Sequence, residues 1–136
     1  KKIDRRFYEV VLYTVDNTVF YPQLVKELGE NQINFLWGAG ARGTHWVKWF
    51  QNAGIIIEGI VDKNSSYWGN FIEGIPVYPP EILENKDCNV IITPEKYVEE
   101  IKKEISKIDS GCIYIFELDI LCKRLAESVL GLTCLC

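Results

Sequence analysis

Six residues, Gly38-Ala39-Gly40-Ala41-Arg42-Gly43, have the types and spacing to hold a phosphate. They follow an apolar run, Ile33-Asn34-Phe35-Leu36-Trp37, and open a helical pattern that leads to a second apolar run, Ile55 to Val61, ending at Asp62. A strand that turns at once into a helix bends sharply at Gly38. Gly40 leaves the backbone bare for a pyrophosphate, and Gly43 lets the helix pack close to the strand. The helix beginning near Ala41 then offers its orphan N–H groups and positive dipole end, with Arg42 and Thr44 as further donors. Asp62, roughly 20 residues past the glycines, is placed to accept from ribose hydroxyls and disfavours a 2′-phosphate. A nucleotide-type ligand is the expectation.

Each of these residues also has a plainer explanation. The turn and the close helix packing need glycine whether or not anything binds, and an acid after a strand is a common turn residue. A cation in the first turn opposes the helix dipole, so Arg42 could equally be solvated. His45, the single histidine, is expected to be packed or solvent-facing, and Trp37, Trp46, Trp49 and Trp68 to be core and rim, with Trp68 able to cover a base or sugar ring.

With 136 residues, 48% hydrophobic and 25% charged, the chain suits one globular domain. A net charge of −4 without a basic cluster argues against nucleic acid as a partner. No apolar stretch reaches the ~18 residues of a membrane span and no signal-peptide layout opens the chain, so a cytoplasmic location is expected. The start at Lys1 and the lack of methionine suggest a piece of something longer. Of the five cysteines, Cys88, Cys112 and Cys122 fall in or beside apolar runs and are expected to be buried hydrophobes. Cys134 and Cys136 lack the second pair or histidine that a zinc site needs, so no metal is expected.

The elements that must position the loop follow from periodicity. A helix is expected over Ile3 to Val15, with a strand as the other reading, and a short helix from Pro22 to Leu28 closed by Gly29. Trp46, Val47 and Phe50 give the helix after the glycines its apolar face. Ile75-Pro76-Val77 reads as an edge strand because Pro76 cannot donate to a ladder. Pro79-Pro80-Glu81 opens a brief helix, and Asn89 to Ile92 reads as a buried parallel strand ended by Thr93-Pro94. Val98, Ile101, Ile105 and Ile108 mark a surface helix, Cys112 to Phe116 a strand, and Leu118 to Val129 a last helix ended by Gly131. The result is an α/β chain: about five parallel strands in the order 3-2-1-4-5, helices on both faces and an N-terminal helical extension. The divisions are 1–32 for the extension, 33–131 for the doubly wound domain and 132–136 for a tail.

The glycine loop, Ile57-Glu58-Gly59-Ile60-Val61-Asp62-Lys63-Asn64, Trp68-Gly69, Gly74-Ile75-Pro76-Val77 and Pro80-Glu81-Ile82-Leu83 together resemble a Rossmann-like module of sugar-modifying enzymes. Such modules stand at the N-terminus of bacterial nucleotide-sugar dehydratases, epimerases and sugar acetyltransferases, and fused to methyltransferases and glycosyltransferases of surface-polysaccharide pathways. The resemblance covers roughly Asn34 to Leu118. It implies that Gly38, Ala39, Gly40, Arg42 and Gly43 hold phosphate, that Asp62, Lys63 and Asn64 border ribose or base, and that Thr93 and Pro94 line the opposite lip of the crevice. It also implies NAD or a UDP-sugar as ligand. Lys63 departs from the pattern, since many relatives carry an acid or Asn there, and no acetyltransferase repeat or methyltransferase motif follows.

No nucleophile elbow, paired-carboxylate site or Cys/His arrangement is legible, so the isolated chain is not expected to catalyse a reaction. Three readings remain. The first is a nucleotide or nucleotide-sugar binding module of a larger glycan-biosynthesis protein. The second is an NAD-dependent oxidoreductase or epimerase domain, completed by a fused catalytic domain or a second copy. The third is a structural or oligomerisation domain that keeps a glycine loop.

Overall fold

The computed structural model describes residues 5–131; the expectations for Ile3, for the 132–136 tail and for Cys134 and Cys136 lie outside the described residues. The chain runs through α1 (Arg5–Thr14), a 3-10 turn, α2 (Tyr21–Leu28), β1 (Asn34–Trp37), α3 (Ala41–Asn52) and β2 (Gly59–Val61). It continues through a second 3-10 turn, β3 (Phe71–Ile72), β4 (Ile75–Tyr78), a third 3-10 turn at Pro80–Leu83, β5 (Cys88–Ile92), α4 (Val98–Ile108), β6 (Ile113–Glu117) and α5 (Leu118–Leu130).

The sheet order is β3-β4-β2-β1-β5-β6, with β4, β2, β1, β5 and β6 parallel. This is the doubly wound α/β arrangement the apolar runs predict, enlarged by one short strand. β3 pairs antiparallel with β4, Phe71 opposite Pro76, so β4 is not the edge its proline suggests. Two residues of β3 suffice to cover it, and Val77 donates its N–H to Asn70 O just beyond them. β2 is shorter than the run Ile55 to Val61, because its ladder to β1 begins only at Phe35 opposite Gly59. Ile55 N–H is committed instead to Phe50 O, at the end of α3.

Two cores sandwich the sheet. Leu36, Ile60 and Ile91 meet α3 and α5 on one face, while Phe35, Val61, Val90 and Ile92 meet Ile101 and Ile105 of α4 on the other. The N-terminal helices are part of the first core: Leu12, Phe20 and Leu24 have no exposed surface, and Trp49 Nε1 donates to Leu12 O. A strand at this position is excluded by α1. Between the layers, Asn89 Nδ2 donates to both Leu28 O and Asn34 Oδ1, tying the end of α2 to the two central strands. Cys88 and Cys122 are buried as expected. Cys112 is exposed, because it precedes β6 in the turn held by Asp109 Oδ1, which accepts the N–H groups of Gly111, Cys112 and Ile113.

Candidate functional site

The glycine loop leaves the carboxyl end of β1 and enters α3, beside the point where the chain order reverses between β1 and β5. Clefts outside the strand ends at such reversals are where open α/β sheets bind ligands. Its three glycines differ physically. Gly38 has φ +122°, and a Cβ there would stand 2.5 Å from Thr93 Oγ1. A Cβ on Gly43 would stand 1.8 Å from Gly38 O, so the fold itself forbids a side chain. Gly40 has an ordinary extended backbone, φ −77° and ψ −166°, and a Cβ there would meet no atom within 4 Å. Nothing in the protein requires glycine at position 40.

Gly40 is also the N-cap of α3 and contributes no side-chain cap; its carbonyl receives Thr44 N–H and Thr44 Oγ1. Ser, Thr, Asp or Asn at an N-cap stabilises a helix start through a side-chain oxygen, and glycine there is less stable by only about a few tenths of a kcal/mol. Such an end offers N–H groups and partial positive charge to an anion.

Asp62 sits one residue past β2 and is partly buried. Its Oδ2 accepts Ala39 N–H at 2.8 Å, and its Oδ1 accepts Asn64 N–H at 2.8 Å. A carboxylate has about four lone-pair sites, so two remain open. Asn64 caps the next turn, with Oδ1 accepting from Ser66 N and Ser66 Oγ. Trp68 Nε1 donates to Asp62 O at 2.7 Å, which sets its part-exposed ring in the loop beside Asp62. Lys63 is turned to Glu104 of α4, 2.6 Å away.

On the other lip, Thr93 is buried and closes the loop rather than offering its hydroxyl: Oγ1 donates to Trp37 O at 2.8 Å. Pro94 packs against Gly38. Arg42, partly exposed, is engaged by the protein's own acids and a carbonyl. Its Nε donates to Thr93 O at 2.7 Å, Nη1 to Glu9 Oε1 at 3.0 Å and Nη2 to Asp119 Oδ1 at 3.1 Å, with Glu95 Oε1 3.5 Å from Nη1. The guanidinium expected to hold phosphate joins α1, the end of β5 and the start of α5. Neighbours respond to this cluster: burial, then the Glu9 charge, push the Tyr13 hydroxyl up to about 12. Burial, then Glu9 and Asp119, hold the Cys122 thiol far above the ordinary thiol range.

His45 stacks edge-on against Tyr13, and Trp37, Trp46 and Trp49 are core. A cleft of about 940 Å³ lies at the opposite, amino ends of β1 and β2, between Tyr21, Val25, Ile33 and Ile56. It is remote from the glycine loop. Among the described residues, no group of three or more His, Cys, Asp or Glu is arranged to hold a metal, and no helix is long and apolar enough to cross a membrane.

The sheet order, the β1–α3 glycine loop and the acid after β2 define a Rossmann-like α/β domain. Residues 30–112 match the family C2185-like, N-terminal, and the chain belongs to that family. No curated protein sequence matches it. Among solved structures, it is similar to RSP, a Rex-family repressor, at 18% identity and TM-score 0.49, over 83% of this chain and 68% of the repressor. The same protein in complex with β-NADH, and with β-NAD+ and operator DNA, matches at the same identity and score, over 69% and 66% of its length. Likeness at this level transfers no function.

Proposed function

We propose that this domain binds a nucleotide, with its phosphates against the start of α3 and its ribose toward Asp62. The observation that carries the reading is Gly40, a helix N-cap with no steric or conformational need for glycine and open space where a side chain would stand. Glycine at this cap costs the helix only about a few tenths of a kcal/mol, and it leaves the N–H groups at the start of α3 open to close approach by a phosphate. The remaining lone pairs of Asp62 favour a free 2′-hydroxyl. Gly38, Ala39, Gly40 and Gly43 supply the backbone cradle, and Asn64 and Trp68 border the ribose or base. Arg42, Thr93 and Pro94 shape the loop from behind.

The ligand class extends to NAD and to nucleotide sugars, and the resemblance to sugar-modifying enzymes makes a UDP-sugar the finer proposal, with catalysis left to a fused domain or partner. Thermal unfolding against NAD, UDP-, CDP- and GDP-sugars and coenzyme A tests it. A specific ligand at a hundred times its dissociation constant stabilises the fold by about 2.7 kcal/mol, a shift of several degrees. Unchanged unfolding with every member of the panel refutes the reading and leaves the structural one.

A further inference from the structure

The two sides of the crevice are unequal. Toward β2, the protein leaves room: Gly40 faces open space, and Lys63, Asn64 and Trp68 are exposed. Toward β5 and β6, the space outside the strand ends is crossed by the Arg42 side chain. It runs from the first turn of α3 to Thr93 O, just past β5, and on to Asp119 in the first turn of α5. Glu9 of α1 and Glu95 of the β5–α4 loop close over the same guanidinium. Pro94 fills the floor beneath, its Cδ 3.3 Å from where a Gly38 Cβ would be.

A dinucleotide on this fold lays its two halves across the crevice, one on each side of the reversal point. From the asymmetry we infer that the site accepts a single nucleoside with its phosphates, on the β1–β2 side, and that the Arg42 cluster excludes a second nucleoside over β5. This rests on the nucleotide-binding reading and narrows it. Seating a second nucleoside requires Arg42 to leave three carboxylates and a carbonyl. Charge-assisted hydrogen bonds of this kind are the strong ones, and a pocket that must break them first binds more weakly by the cost of opening.

Calorimetric titration of the whole chain separates the cases. The probes are the β-methyl esters of ADP, GDP, CDP and UDP, and for each base the symmetrical dinucleoside pyrophosphate of equal charge. The expected result is binding of at least one methyl ester, with the matching dinucleoside pyrophosphate weaker by about tenfold or more. Arg42→Ala and the milder Asp119→Asn should narrow that gap. Asp119→Asn keeps the arginine and serves if the first variant does not fold. On the wild-type chain, hydrogen exchange should show protection by the ester at residues 38–43 and 62–68, and none at Glu95 or Asp119.

A dinucleoside pyrophosphate that binds as tightly as its ester overturns the inference and leaves the nucleotide-binding reading standing. So does a gap that neither variant narrows. Failure of every probe to bind the folded chain refutes the underlying reading and the inference with it.

Discussion

Asp62 Oδ2 accepts the backbone N–H of Ala39 at 2.8 Å, so the acid after β2 holds the middle of the glycine loop directly. The other oxygen holds Asn64 N–H. Asp62→Ala strands both donors, and Ala39 is buried. Loss of hydrogen bonds to a charged group predicts a stability loss of about 1.5–3 kcal/mol, read by urea unfolding. Asp62→Asn keeps one carbonyl acceptor and should lose less. Nucleotide binding should fall in both.

Gly43 and Gly40 should respond in opposite ways. Gly43→Ala places a Cβ 1.8 Å from Gly38 O, where only backbone can yield, and should cost about 3 kcal/mol or more. Gly40→Asp meets no atom within 4 Å and supplies an acidic N-cap, so its unfolding midpoint should stay level or rise. Thermal unfolding of the two variants side by side checks this.

Thiol chemistry should separate three cysteines. Burial pushes the Cys88 thiol up to about 11 and the Cys122 thiol higher still, whereas Cys112 is exposed. Only the thiolate is nucleophilic. Alkylation of the folded chain near pH 8, followed by peptide mass mapping, should label Cys112 and spare Cys88 and Cys122. The sign for stability follows: a thiol whose folded pKa is raised contributes fully below its unfolded value. That contribution is lost as pH rises through the folded one, so Cys88 weakens the fold between about pH 9 and 11.

Asn89 joins three elements by one amide. Asn89→Ala leaves Leu28 O and Asn34 Oδ1 without their buried donor and should cost about 1–3 kcal/mol, with hydrogen-exchange protection at the end of α2 falling first.

The parts of this fold written locally were legible in sequence. Gly38, Gly43 and Asp62 stand within one βαβ unit, so their spacing announces the turn. The apolar faces of α4 and α5 and the order of the parallel strands follow from periodicity and right-handed crossover. What depends on distant partners was not legible. Arg42 looked like a phosphate donor because Glu9 and Asp119 lie 33 and 77 residues away, and nothing near Arg42 names them. The burial of Leu12, Phe20 and Leu24 under α3 and α5 was hidden for the same reason, and so was the Asn34–Asn89 pair. β3 escaped because two residues carry no period, and its existence then reversed the inference drawn from Pro76.

The most direct test of the central claim is calorimetric titration of nucleoside diphosphates into the wild-type chain and into Gly40→Asp. At least one should bind the wild type, and the same ligand should lose its affinity for a variant that is folded and at least as stable. A nucleotide that binds Gly40→Asp as well as wild type, or a folded wild-type chain that binds none, would contradict it.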